Sequence, residues 1–296
     1  YQGFEAHKLH LLFQATYYLN AGNYKSAIRF YQELIALFEA NRHLFRNPPI
    51  CDLSAIGGVL NSLHVAVLYR ERPCVLAKLK ESSTGNYPTE FLMEVQGRHY
   101  LYELSGVLNT GQFDAAVHLT ETYTDFFAKK ATMTRPETQL KLSLYSSILY
   151  LCLGEPMKAR KSMKNILGSG KFFHTLPSYK TASLINLLIQ AELGNYCFFA
   201  NELSSIKRMI GNEKQVYITE NLLFRFLMAH PLPIYKKDQE KLWSQYQKDI
   251  MRIRQDKYEK QLLKTFDFTA WIESKLTNIP LREILSRTDW YISAKQ

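Results

Sequence analysis

Long uninterrupted apolar runs are missing from this 296-residue chain. The longest, Leu140 to Gly154, is broken by Lys141 and several serines, and it is shorter than the roughly 18 to 20 residues a bilayer span requires. No transmembrane helix is expected. Phosphate-binding loops are also absent. Leu167-Gly-Ser-Gly-Lys171 resembles a fragment of one but lacks the GxxxxGK spacing and a preceding strand. It reads better as a helix end at which Gly168 and Gly170 adopt the left-handed conformation. Cysteine is scarce: Cys51, Cys74, Cys152 and Cys197 stand far apart, with no CxxC pair and no histidine at zinc-type spacing. Buried free thiols in a reducing compartment follow, so the cytoplasm is the expected location. Because the chain begins at Tyr1 and not at methionine, a removed N-terminal signal stays open. No low-complexity tract is present, and 46% hydrophobic with 22% charged residues describes a globular chain, not a disordered one.

Groups that could carry out catalysis are equally sparse. His7-x-x-His10 would place two imidazoles on one helix face, but no third ligand follows, so neither a metal nor another cofactor is expected. His64, His99, His118 and His174 are isolated. Without a convergent nucleophile, base or metal set, a non-catalytic protein is expected.

Charge is present but unevenly spread. The net charge is +10, yet residues 1–150 carry 14 Lys+Arg against 13 Asp+Glu, whereas residues 151–296 carry 23 against 14. An anionic partner produces such a bias, and so do solvated helix faces. Its sharpest local expression is PMKARKSMKNILGSGK, where Lys158 and Lys161 are i,i+3 and Arg160 and Lys164 are i,i+4, making two adjacent positive strips. Nucleic acid or another polyanion would be attracted there, with binding that weakens steeply in salt. Few aromatics interleave with these cations.

Helical spacing of apolar residues dominates the chain, and no segment shows sustained period-two alternation, so the fold class is all-α. Pro48, Pro49, Pro73, Pro88, Pro136, Pro156, Pro177, Pro231, Pro233 and Pro280 fall where helices start or connect. Thr134-Arg-Pro-Glu137 has capping-box spacing. The predicted helix pairs are 3–20 with 24–41, 53–70 with 73–82, 90–109 with 112–130, 136–153 with 156–168, 178–193 with 196–210, and 213–229 with a long 238–265. A turn signature recurs between partners: Gly22-Asn-Tyr24-x-x-Ala27, Gly111-Gln-Phe113-x-x-Ala116, Gly154-Glu-Pro156-x-x-Ala159, and more loosely Gly194-Asn-Tyr196 with Ala200. With a further turn at Glu71-Arg-Pro73, marked only by its position and by Ala77, steps of about 40 to 49 residues indicate a repeat array.

In the first repeat, Ala15-x-x-Tyr18-x-x-x-Gly22-x-Tyr24-x-x-Ala27-x-x-x-Tyr31 resembles the tetratricopeptide-repeat consensus. The match is partial at 111 and 154 and weak at 71 and 194, and the steps exceed the family's period of about 34. The resemblance implies a right-handed α-solenoid of antiparallel helix pairs over residues 1–235. Residues 236–296 are expected to add a long basic helix and a short capping helix, packed on the array as one domain. The C-terminal block FDFTAWIESKL, with Phe268, Ile272 and Leu276 on one helix face, also resembles uncharacterised bacterial helical-repeat proteins. In the long helix, Leu242, Tyr246, Ile250 and Ile253 form an apolar stripe that Tyr258, Leu262 and Phe266 continue. Lys248, Arg252, Arg254, Lys257 and Lys260 crowd the other face.

Tetratricopeptide arrays line a concave surface with the first helix of each pair. By register from each turn glycine, the resemblance assigns that surface to Leu12, Thr16, Leu101, Ser105, Leu144, Ile148, Leu184 and Leu188. The row is mostly apolar and lacks the lysines and asparagines of a carboxylate clamp. It is either core or a groove for an amphipathic helix or extended peptide. The expected function is therefore a scaffold or adaptor that binds a protein or peptide. The alternative is a regulator or assembly factor that contacts nucleic acid or another polyanion through the basic C-terminal half.

Overall fold

Four glycines adopt left-handed backbone angles between helices: Gly22 (φ 76°), Gly111 (φ 69°), Gly154 (φ 72°) and Gly194 (φ 70°). Any residue with a Cβ would be disfavoured there by about 1 to 2 kcal/mol. At three of them the full Schellman pattern forms, the glycine amide reaching back three residues and the next amide reaching back five. These bonds are Gly22 to Leu19 (3.2 Å) with Asn23 to Tyr18 (2.9 Å), Gly154 to Leu151 (3.1 Å) with Glu155 to Tyr150 (2.8 Å), and Gly194 to Ala191 (3.0 Å) with Asn195 to Gln190 (3.0 Å). The Gly111 amide likewise donates to Leu108 (3.1 Å). Five residues after the first three glycines, Ala27, Ala116 and Ala159 are fully buried. A small side chain at that point lets two helices cross closely, and the Ser147 hydroxyl reaches the Ala159 carbonyl at 3.1 Å across one crossing.

The structure, a computed structural model, describes residues 2–44, 50–66, 68, 71–84, 86–123, 134–168, 170–176, 178–196, 199–211, 217–229, 232–233, 235–256, 259–263 and 265–287. Pro48, Pro49, Ser169, Pro177, Cys197, Pro231, Lys257 and Tyr258, and the side chains of Lys171, Ala200 and Lys260, lie outside the described residues. Among the described residues the structure is all-α, with α1 (Gln2–Asn20), α2 (Tyr24–Ala40), α3 (Ile50–Val65), α4 (Arg72–Glu81), α5 (Thr89–Asn109), α6 (Phe113–Thr122), α7 (Pro136–Cys152), α8 (Pro156–Leu167), α9 (Tyr179–Glu192), α10 (Phe199–Gly211), α11 (Ile218–Met228), α12 (Lys236–Gln255), α13 (Glu259–Leu263), α14 (Phe268–Thr277) and α15 (Leu281–Arg287). Pro136 and Pro156 open α7 and α8, and Pro73 lies in the first turn of α4. Gly168 ends α8 in the right-handed region (φ −85°), so the expected left-handed cap is not used there. None of the described helices is long and apolar enough to cross a membrane.

The chain divides into two compact units, one of residues 1–107 and 118–138, the other of 108–117 and 139–292. In the first, α1 packs on α2, α2 on α3, and α3 on α4. The approach to α3 depends on two adjacent glycines. A Cβ at Gly58 would lie 2.5 Å from the Tyr31 ring, and one at Gly57 would lie 3.0 Å from Arg98 Nη1. On that side Tyr102 donates to the Gly57 carbonyl (3.1 Å) and Arg98 to that of Leu53 (3.3 Å). Buried Glu94 holds the same Arg98 (2.7 Å) and accepts from the Arg135 amide (2.8 Å) and the Thr138 hydroxyl (2.9 Å). A carboxylate from α5 thus serves the helix start at Pro136.

In the second unit α9 packs against α8 and α10, and α14 packs against α11, α12 and α15. The expected helix over 238–265 is interrupted: α12 ends at Gln255, and Asp256 turns to extended angles (φ −74°, ψ 125°). Asp256 Oδ1 accepts from the amide of Glu259, the first residue of α13 (3.2 Å). Buried Glu259 accepts from the Ile218 amide (2.7 Å), the Thr219 amide (2.9 Å) and the Thr219 hydroxyl (2.7 Å), which caps the start of α11. The stripe residues Tyr246, Ile250, Ile253, Leu262 and Phe266 are buried.

The block FDFTAWIESKL is buried more completely than a one-sided helix would be. Phe268, Thr269, Ala270, Trp271, Ile272 and Leu276 are all inside. Trp271 Nε1 donates to Glu192 Oε1 (2.7 Å), and Lys275 pairs with the other oxygen of Glu192 (2.6 Å). Asp267 caps the helix through the Thr269 amide (2.9 Å) and the Ala270 amide (3.0 Å), while Arg254 bonds Thr269 (3.0 Å) and Glu273 (2.9 Å).

Candidate functional site

The eight residues assigned to a concave row do not share one environment. Leu101, Ser105, Leu144, Ile148, Leu184 and Leu188 are buried among core side chains. Ser105 accepts a hydrogen bond from Arg72 Nη2 (3.0 Å) and donates to the Tyr102 carbonyl (3.1 Å), so even its hydroxyl is used internally. In α9 every residue from Ala182 to Ile189 is buried, which leaves Leu184 and Leu188 no face toward solvent. Only Leu12 and Thr16, both on α1, are exposed.

Around that pair α1 presents an apolar surface. Leu9 is 59% exposed, Leu12 42%, Phe13 67% and Tyr17 57%. The opposite face of the helix carries Leu11 and Ala15 into the core shared with α2, beside Phe4. Side-chain spacing explains the division: 9, 13 and 17 fall at four-residue steps on one strip, with 12 and 16 on the next. The aromatic rings are ordered against one another. Phe13 stacks on Tyr17 (centroids 6.4 Å apart), Tyr17 meets Tyr18 edge-on (5.4 Å), and Tyr18 stacks on Phe30 of α2 (5.4 Å). The Thr16 hydroxyl donates to the Leu12 carbonyl (2.8 Å). Leu9, Phe13 and Tyr17 were not among the residues picked from the sequence, because register from Gly22 selects two positions and misses the flanking strip.

The four cations of the basic patch also differ. Lys158 is paired with Glu155 (2.6 Å) and lies over the Tyr150 ring (5.7 Å). The hydrogen bond and charge of Glu155 raise its pKa. Arg160, Lys161 and Lys164 are exposed and form no ion pair with a described residue. Met163 and Ile166 on the inner side of α8 are buried, so the patch is the outer face of an amphipathic helix.

The buried ionisable groups of the second unit serve structure. Glu259 and Asp267 cap helices, and Glu220, fully buried, pairs with Lys180 (2.8 Å). Burial pushes the Cys152 thiol up to about 12, which keeps it protonated and unreactive at neutral pH. In the first unit a chain of polar groups runs from Tyr123 to His99 (3.4 Å) and from His99 to Glu103 (3.3 Å). Burial, helped by Glu103, raises the Tyr123 pKa. Among the described residues no three His, Cys, Asp or Glu side chains gather as metal ligands.

No protein-family model matches the chain, and neither a curated protein nor a solved structure matches it.

Proposed function

We propose that this chain is a non-catalytic binding module, a tetratricopeptide-like array whose helix pairs display one apolar helix face to a protein or peptide. The observation that carries this reading is the outer face of α1, where Leu9, Leu12, Phe13 and Tyr17 stand in solvent on a helix whose other face is anchored in the core. Scattered exposed apolar side chains are ordinary, but four on one helix face form a patch that favours association. The array reading is supported by the repeated left-handed glycine turn, followed five residues later by a buried alanine at Gly22, Gly111 and Gly154. A preformed helix face loses little conformational freedom on binding, which favours affinity.

Selection of displayed peptides against the wild-type chain, with counter-selection against Phe13→Asp, tests the reading. Amphipathic peptides retained by the wild type and lost by the variant are the expected result. Recovery of no peptide by a chain that is also monomeric, or of peptides indifferent to Phe13→Asp, would overturn it.

The second reading is contact with a polyanion through α8, favoured by the three exposed cations Arg160, Lys161 and Lys164, which form no ion pair with a described residue. Fluorescence anisotropy with labelled oligonucleotides at low salt decides it. Binding that is lost in Lys161→Glu supports it, and no binding at low salt removes it.

A further inference from the structure

We infer that the partner seated on the outer face of α1 is a second copy of this chain, docked with the two α1 helices antiparallel and Phe13 on the two-fold axis. The inference rests on the reading of α1 as the binding surface and names its occupant. A two-fold interface must be self-complementary, since the same patch supplies both sides. The strip on α1 meets that demand: Phe13 is its centre, with Leu9 four residues before and Tyr17 four residues after. Reversing one helix places Leu9 against Tyr17 and Phe13 against Phe13.

Charge does not oppose this pairing. Between Lys8 and Lys25 the sequence holds no Asp, Glu, Lys or Arg, and Lys8 is already paired with Glu5 on α1. The face also lies in the half of the sequence where charges nearly balance, 14 Lys+Arg against 13 Asp+Glu. The lack of a basic rim argues against a lipid surface, where Lys and Arg normally flank the apolar strip.

Area is consistent with a modest dimer. At about 150 to 250 Å² for a whole aromatic side chain, and with these four residues 42 to 67% exposed, the two rings and two leucines offer on the order of 400 Å² of surface. A standard interface takes about 800 Å² per partner. Exposed Ala6, His10, Thr16 and Asn20 on α1 supply the remaining rim.

Sedimentation velocity of the chain at about 100 µM, well above a micromolar dissociation constant, reads the state directly. A dimer is expected, with Phe13→Asp lowering the association constant at least tenfold at unchanged helicity. Met157→Asp, an exposed control on α8, leaves the dimer intact. Cysteine cross-linking, with Cys51, Cys74 and Cys197 replaced by serine, fixes the geometry. Phe13→Cys should form a disulfide with its own copy, and Leu9→Cys should pair with Tyr17→Cys but not with itself. Two Leu9 positions would lie about 12 Å apart along the antiparallel axis.

A monomer at that concentration, a dimer that survives Phe13→Asp, or self-linking of Leu9→Cys overturns the inference. A wild-type monomer that still retains peptides in the selection above refutes self-pairing and leaves the binding-module reading standing. A dimer broken by Phe13→Asp whose α1 retains no foreign peptide supports self-pairing and refutes a hetero-partner.

Discussion

Helices α1 and α14 are both rich in apolar side chains, and they have opposite fates. In α14, Trp271 and Phe268 are buried along with four neighbours on the same short helix. In α1, Phe13 and Tyr17 project into solvent while only one strip, Leu11 and Ala15, enters the core. The difference comes from what surrounds each helix. α14 packs against α11, α12 and α15 and is tied to α9 through Glu192, whereas α2 is the main neighbour of α1. Apolar composition alone therefore does not separate a helix that holds a unit together from one that offers a surface.

Substitutions sharpen that contrast. The largest effect is expected from Trp271→Ala, which removes a buried ring and its bond to Glu192 and should cost about 3 to 5 kcal/mol in chemical denaturation. A loss under about 1 kcal/mol would mean that α14 is not central to its unit. Next comes Glu259→Ala, which leaves the Ile218 and Thr219 amides without their acceptor and should cost about 2 to 3 kcal/mol. Denaturation that leaves α11 as protected in hydrogen exchange as before would contradict the capping role. Gly58→Ala drives a methyl into the Tyr31 ring and should cost about 1 to 3 kcal/mol by overpacking. Equal stability there would show that the α2–α3 approach is looser than the geometry indicates. Phe13→Ala belongs at the other end of the scale, with a stability change within about 0.5 kcal/mol when denaturation is followed at nanomolar protein, where the chain is monomeric and the side chain is exposed.

A pH experiment separates buried from exposed thiols. Cys51 and Cys74 are exposed, and Cys152 is buried with its thiol shifted from 9.0 to about 12. The unfolded chain loses that proton near 9.0 and the folded chain keeps it. The stability linked to Cys152 is therefore complete below 9.0 and declines as pH rises toward 12. Alkylation at pH 8 should modify Cys51 and Cys74 within minutes and Cys152 only upon unfolding. Rapid labelling of Cys152 in the folded chain would refute its burial.

Much of the helical pattern was legible because its determinants are local. Glycine at 22, 111, 154 and 194 announces a left-handed turn, and alanine five residues after the first three announces a close crossing, both local features of the sequence. Helix starts at Pro136 and Pro156 follow from ring geometry in the same way. The interruption at Asp256 was hidden inside a run that looks continuously helical, although Asp256 and Glu259 carry cap-and-third-residue spacing. What that run does not display is the distant group that Glu259 serves. The same limit applies to the binding surface. Register placed Leu12 and Thr16 on the open side of α1, but the equivalent positions on α5, α7 and α9 are enclosed, because enclosure depends on helices remote in sequence. Trp271 and Lys275 converging on Glu192 were likewise invisible to spacing arguments.

The bond from Glu259 to the start of α11 has a consequence for the order in which the protein is made. The acceptor lies 40 residues downstream of the Thr219 amide it satisfies. At about 5 to 20 residues per second, a ribosome needs roughly 2 to 8 seconds to add that segment. During this interval water, not Glu259, serves the first amides of α11, and the helix that packs on it, α14, has yet to be made. Biogenesis of this region is thus closer to a late, concerted closure than to the turn-by-turn addition suggested by its repeated glycines.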